Sequence, residues 1–243
     1  MIKNIIFRNI KFNNISYKEF NKYIIKKGLF VFPAGPALAT IESSTNYFKS
    51  MQRANFVFFD SGFFVLLIKI FKNINVNKFS GYKFLNLFFN YLKKNKHKSV
   101  FCIDPNLKFS KSNRLFLKRL GIKKVYYYLA PKYDPNNLFD KKLLDIIKKK
   151  KPDYILTNIG GGVQEVLGLY LKKNLKYKST ILCTGAAISF FTGDQAPINS
   201  FIDRYYLGWF VRLIFNPYIF FRKYMIGLKL IPMVLFSKIR IIK

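Results

Sequence analysis

Short apolar runs recur along this chain, each closed by Gly, Pro, Asp or Asn and followed by a helical stretch. No other feature limits the fold as tightly. Leu29–Phe32 runs into PAGPA, Phe56–Phe59 into Asp60-Ser61-Gly62, and Val100–Ile103 into Asp104-Pro105-Asn106. Val125–Leu129 runs into Ala130-Pro131, Tyr154–Ile159 into Gly160-Gly161-Gly162, and Thr180–Cys183 into Thr184-Gly185-Ala186. Strands apolar at every position need cover on both faces, and intervening helices supply it. The expected fold class is therefore α/β, a Rossmann-like, mostly parallel sheet flanked by helices. Helices are expected at Tyr82–Lys94, Ser110–Leu120, Lys141–Lys151 and Val163–Lys173. Ligands of such sheets bind at the carboxyl ends of the strands, so the punctuation residues mark the expected site.

With 51% hydrophobic and 19% aromatic residues in 243, the chain can bury a real core, which excludes intrinsic disorder. Cys102 and Cys183 sit inside apolar runs and read as buried thiols in a reducing compartment, not as a disulfide scaffold. The 43 Lys+Arg against 11 Asp+Glu leave a formal charge of +32. Lys, Asn, Ile, Phe and Tyr are abundant together, as an AT-rich genome would produce, so part of that charge is mutational drift. An excess this large still attracts polyanions: nucleic acid, anionic lipid or phosphorylated substrates. The Lys148–Lys151 run closes a helix, where cations complement the dipole, and reads as that rather than as a nucleic-acid patch.

No stretch has the roughly 20 mostly apolar residues of a transmembrane helix. The N-terminus MIKNIIFRNIKFNN lacks a continuous apolar core and a small-residue cleavage site. The expected location is cytoplasmic, peripheral on the inner face of the cytoplasmic membrane. One α/β domain spans residues 1–203, and residues 204–243 form a basic, aromatic C-terminal appendage. After Asp203 no acid follows, and cations alternate with rings such as Trp209, Phe221 and Tyr224. Such a segment suits the lipid headgroup boundary, where rings enter the acyl edge and cations meet phosphates. The alternative is a helical appendage packed on the core with solvated charges.

The few acids can be weighed singly. Glu19, Glu42, Asp140 and Asp145 lie in helical stretches and read as surface partners, Asp134 and Asp153 as structural, and Asp203 can pair with Arg204. Asp60, Asp104, Glu165 and Asp194 remain at strand-end loops. Asp60 follows four apolar residues and precedes Ser61-Gly62, so it should project into a cleft with apolar walls. Partial desolvation there would make it a better base. The alternative is a turn-forming Asp bonded to its own backbone. No two acids stand within two residues of each other, so an Asp-x-Asp metal clamp is absent, and the single His97 sits among lysines. Metal chemistry, a Ser-His-Asp triad and a resident cofactor are not expected.

In YILTNIGGGVQEVLGLYL a strand enters Gly160, Gly161 and Gly162, and Gln164-Glu165 opens a helix. Glycines let backbone N–H groups approach a phosphate, and the helix N-terminus adds its dipole. Gln164 and Glu165 could bond a nucleobase or sugar hydroxyls. A tight strand-to-helix turn is the plainer reading of the triplet. The loop is neither a Walker loop nor the spaced dinucleotide fingerprint.

GGGVQE, then TGAAISFFTGDQAP, then YLGWFVRLIFNPYIFFRKY resemble, in order and spacing, the WecG/TagA/CpsF glycosyltransferases (glycosyltransferase family 26). Gly160, Gln164 and Glu165 match the family's Gly-x-Pro-x-Gln-Glu, and Ala196-Pro197 its Arg-Ala-Pro. Trp209, Arg212 and Leu213 match Leu-Glu-Trp-x-x-Arg-Leu, while Pro217, Arg222 and Tyr224 match the basic segment after it. FVFFDSG places Asp60 where the family's proposed base lies, and Lys78-Phe79-Ser80-Gly81 resembles its Arg-Val-Thr-Gly. The chain departs from the family at Pro33 and Gly35, which replace a Thr-x-Asn, and at Gly162, Gln195 and Gly208. Lys78 keeps a charge but loses the bidentate fork of Arg.

The resemblance implies transfer of an N-acetylhexosamine, N-acetylmannosamine-like, from a UDP-sugar to a polyprenyl-diphosphate-linked sugar. The product would serve capsule, teichoic acid or common-antigen synthesis. Asp60 would be the base, with Lys78, Gly160, Gly161, Gly162, Gln164 and Glu165 toward the donor. Arg212, Arg222 and Lys223 would face the acceptor diphosphate and the anionic membrane. Self-association into a homo-oligomer is compatible with this. A nucleic-acid-binding protein explains the charge but not the glycine loop, so nucleic acid is not expected as a partner. A doubly wound oxidoreductase would need a spaced glycine fingerprint that is missing.

Overall fold

The computed structural model describes residues 4–195, 211, 214 and 217–242, without the side chains of 219 and 220. Strands β1 (Asn4–Phe7) and β2 (Ile10–Asn13) open the chain as a hairpin, followed by β3 (Gly28–Val31) and β4 (Phe56–Phe58). Then come β5 (Ser99–Asp104), β6 (Lys124–Leu129), β7 (Tyr154–Thr157), β8 (Thr180–Cys183) and β9 (Ile239–Ile242). The 9 strands form one sheet in the order β6-β5-β7-β8-β3-β4-β2-β1-β9. Pairing is parallel from β6 to β2, and β1 runs antiparallel to both β2 and β9.

The expected apolar runs are all strands, and their alternation shows why each had to be apolar throughout. Leu29, Val31, Val57, Phe101, Ile103, Ile155, Ile181 and Cys183 point to one face, into a core completed by helices α3 (Thr45–Gln52), α4 (Gly62–Lys72), α7 (Lys141–Lys150) and α8 (Val163–Asn174). Phe30, Phe58, Val100, Cys102, Tyr154, Leu156 and Leu182 point to the other, under α1 (Phe20–Ile24), α5 (Gly81–Lys94) and α6 (Leu107–Arg119). Both faces of the central strands are buried, as a parallel sheet requires, while the edge strand β6 is only half-covered. Both cysteines are buried and free.

Local signals set the helix ends. Ser44, Ser61, Ser80, Asn106 and Asp140 accept a backbone N–H from the first turns of α3, α4, α5, α6 and α7. Asp140 differs from its expectation as a surface partner. It is buried, and besides Leu143 N–H it accepts both the Tyr128 and Tyr133 hydroxyls, at 2.8 and 2.6 Å. Lys148, Lys149 and Lys150 fill the last turn of α7, as dipole complementation predicts.

Short helices α2 (Gly35–Ala39) and α9 (Ser189–Thr192) follow β3 and β8. At the C-terminal end, α10 (Pro217–Gly227) packs on α2, and α11 (Leu230–Phe236) packs on α4. The expected C-terminal helices are there, and they lead into β9, which pairs Ile242 with Asn4 and Ile239 with Phe7. The end of the chain is thus an edge of the same sheet its beginning belongs to. Among the described residues, no helix is long and apolar enough to cross a membrane.

Candidate active site

Strands β7, β8, β3 and β4 are neighbours in the sheet, so the loops at their carboxyl ends adjoin. Asp60 stands at the end of β4, partly exposed, with its N–H bonded to Phe58 O at 3.0 Å. Its Oδ1 accepts the Gly81 N–H at 2.7 Å. Phe79 N–H donates to Phe59 O at 2.9 Å, so the whole 78–81 segment is drawn against the end of β4. On its other side Gly81 faces Thr184, where a Cβ would make ordinary contact at 3.5 Å. Gly35 is held closer still. A Cβ on it would stand 2.9 Å from Ser61 Oγ, so a side chain at position 35 would displace the hydroxyl that caps α4. The two stretches singled out in sequence, around Asp60 and Lys78–Gly81, form one unit. Lys78 is half-buried at its start.

The glycine loop is built differently from its neighbours. Gly160 and Gly162 face open space, and Gly162 has φ +90, a conformation that L side chains rarely adopt. Gly162 N–H donates to Glu165 Oε2 at 2.6 Å, and Glu165 Oε1 accepts the Gln164 amide at 2.9 Å. Gln164 Oε1 in turn accepts Gly185 N–H at 2.7 Å. A continuous chain of hydrogen bonds therefore ties the β7 loop to the β8 loop. Gln164 is 3% exposed and Glu165 0%. As placed, both side chains shape the cradle instead of lining its surface.

Burial pushes the Glu165 carboxyl up to about 7. Hydrogen bonds from its own backbone, Gly162 and Gln164 oppose that rise, and the negative charge of Asp60 adds to it. The β4 and β7 loops thus bring the two acids near enough for their charges to interact. Tyr47, on α3 where it packs against α8, is buried with no hydrogen-bond partner for its hydroxyl. Burial first, and then Glu165, raise its pKa well above the usual tyrosine value.

Asp104 and Asp194 do not join this cleft chemistry. Asp104 ends β5 fully buried, its Oδ1 accepting both Asn113 and Asn158 amides at 2.7 Å, and burial raises its pKa. It braces β5 to β7 just below the glycine loop. Asp194 accepts the Thr192 hydroxyl at 2.7 Å. Arg222 and Lys223 are exposed on α10. Arg212, Ala196-Pro197, Gly208, Trp209 and Leu213 lie outside the described residues. Sequence reasoning missed Asn113 and Asn158, which hold Asp104 from nine and 54 residues away, and Tyr47, which meets the Glu165 charge only through the packing of α3 on α8. Gly185 carried a signal, as a glycine in the Thr184-Gly185-Ala186 punctuation that closes an apolar run. Among the described residues no group of three or more His, Cys, Asp and Glu gathers.

A mostly parallel sheet whose adjoining strand ends carry a glycine loop, a helix N-terminus and the Asp60 carboxylate is a Rossmann-like α/β fold. The chain matches the Glycosyl transferase WecG/TagA/CpsF family over residues 5–242, nearly its whole length, and it belongs to that family. It is therefore a glycosyltransferase, with a sugar donor and an acceptor as substrates. No curated protein matches it.

Proposed function

We propose that this glycosyltransferase is inverting and metal-independent, moving an N-acetylhexosamine of the N-acetylmannosamine type from a UDP-sugar to a polyprenyl-diphosphate-linked sugar. The product enters a surface polysaccharide, and the reaction takes place at the inner face of the cytoplasmic membrane. The observation that carries the reading is Asp60, held by Gly81 N–H in the same row of strand ends as the open Gly160–Gly162 loop.

In this reading Asp60 removes a proton from the acceptor hydroxyl as that oxygen attacks the anomeric carbon. The bond to the UDP oxygen breaks on the opposite face. The departing diphosphate is met by loop amides and by the positive end of α8. Gly162 N–H is already engaged by Glu165, so the other amides of the loop take that role. A Glu165 half-protonated near pH 7 places less negative charge behind the leaving group than an ordinary carboxylate would. Lys78 stands on the Asp60 side of the cleft, toward the donor. Arg212, Arg222 and Lys223 belong to the acceptor diphosphate and the lipid surface, where guanidinium groups bind phosphate bidentately. The acid-free, ring-rich segment 204–243 is what brings an enzyme of this kind to a lipid-linked acceptor.

The test is UDP release from a panel of UDP-sugars with a polyprenyl-diphosphate-GlcNAc analogue. Asp60→Asn should fold normally and lose roughly 10²–10⁴ in turnover, the span of general-base assistance. Transfer near the wild-type rate would remove Asp60 from the role.

A further inference from the structure

The outward face of α4 is apolar where a surface helix is normally polar. Its inward side chains Phe64, Val65, Leu67 and Ile68 are buried, yet Leu66 is 48% and Ile70 62% exposed, one helical turn apart, with Phe71 at 37% beside them. Next to α4 lies α11, and Lys72 Nζ joins their ends by donating to Leu235 O at 2.9 Å. There Leu235 and Phe236 are exposed as well, Phe236 by 80%. The apolar strip is set among exposed Lys69, Lys229 and Lys238, and neither α4 nor the chain from Pro217 to Ile242 contains an acid.

That charge decides the occupant. A second copy docking through this face would set one acid-free cationic patch against another, because a two-fold interface repeats the same surface. An anionic bilayer supplies both missing partners, acyl chains for the apolar strip and phosphates for the lysines. We propose that α4 joins α11, which is part of the C-terminal segment already assigned to the membrane, in one lipid-docking face that extends from that segment onto the body of the enzyme. This inference rests on the membrane-bound reading above and extends it. Since α4 begins directly after Asp60-Ser61, seating it on the bilayer also sets the orientation of the cleft toward a lipid-borne acceptor.

The experiment is co-sedimentation of the full chain with vesicles of phosphatidylcholine and phosphatidylglycerol, using two double variants whose thermal unfolding is checked first. Leu66→Gln/Ile70→Gln alters α4, and Phe221→Gln/Met225→Gln alters the exposed side of α10. If α4 docks, its variant lowers the partition coefficient by roughly tenfold or more, as losing two apolar contacts implies. Wild-type partitioning by the α4 variant, with loss by the α10 variant, would overturn the α4 face and leave the membrane reading intact. A wild-type chain that stays in the supernatant would overturn the membrane reading itself. A lipid-free dimer in light scattering that the α4 variant abolishes would assign the face to a second copy and so defeat the proposal.

Discussion

Glu165 shows how one residue can look like a ligand in sequence and act as a strut in the fold. Opening a helix after three glycines, it resembles a side chain waiting for a sugar. Its carboxylate is instead consumed by Gly162 N–H and Gln164. The raised pKa has a consequence whose sign is fixed. The folded chain holds this proton up to about 7, whereas an ordinary glutamate releases it near 4.5. Between those values the folded state binds more protons, so this group makes stability fall as pH rises. Urea unfolding should therefore show wild type losing stability relative to Glu165→Gln from about pH 4.5 to about pH 7, and no further above that. A flat difference across the window would mean that Glu165 is ionised throughout. Asp60→Asn removes a charge that raises Glu165 in the folded state, so in that variant the upper end of the window should fall while its lower end, set by the unfolded chain, stays near 4.5.

At the scale of elements, β3, β4, β5, β6, β7 and β8 were legible because each is apolar on both sides, a pattern only a covered parallel strand needs. Strands β1, β2 and β9 were not. Lys11 interrupts β2 and Arg240 interrupts β9, β1 is flanked by Lys3 and Arg8, and among the described residues β9 pairs only with Asn4–Phe7 at the far end of the chain. Helix α8 was legible in extent, but the tightness of its seat was not. A Cβ at Gly168 would fall 2.6 Å from Leu29 Cδ1 and 2.8 Å from Cys183 Sγ, both fully buried. Helix propensity alone favours alanine there by about 1 kcal/mol. Overpacking in a closed core costs about 1–3 kcal/mol, so Gly168→Ala should lower the melting temperature. A rise on calorimetry would show that α8 can move off the sheet freely.

Across the whole molecule, the two ends of the chain close the fold together. Ser237 accepts Arg8 Nε at 2.9 Å, β9 covers the edge of β1, and α11 buries Leu230 and Val234 against α4. Removing residues 238–243 uncovers the β1 edge, a template for pairing with other chains. The truncated protein should melt at lower temperature and scatter light at concentrations where the full chain does not. If its melting and solubility are unchanged, β9 contributes nothing to the sheet's stability.

The chain's own pattern determined that there would be a parallel sheet, which runs would be its strands, and that the glycines and acids singled out would stand where those runs stop. Local spacing suffices for this, because a strand's apolarity and a helix's cap are written within a few residues. Which strands became neighbours was decided by contacts between residues far apart in the chain. So were the burial of Glu165 and Asp104 and the return of the C-terminus to the N-terminal hairpin. Burial belongs to three-dimensional neighbours, and it is burial that raises the Glu165 carboxyl and makes it a support for the glycine loop.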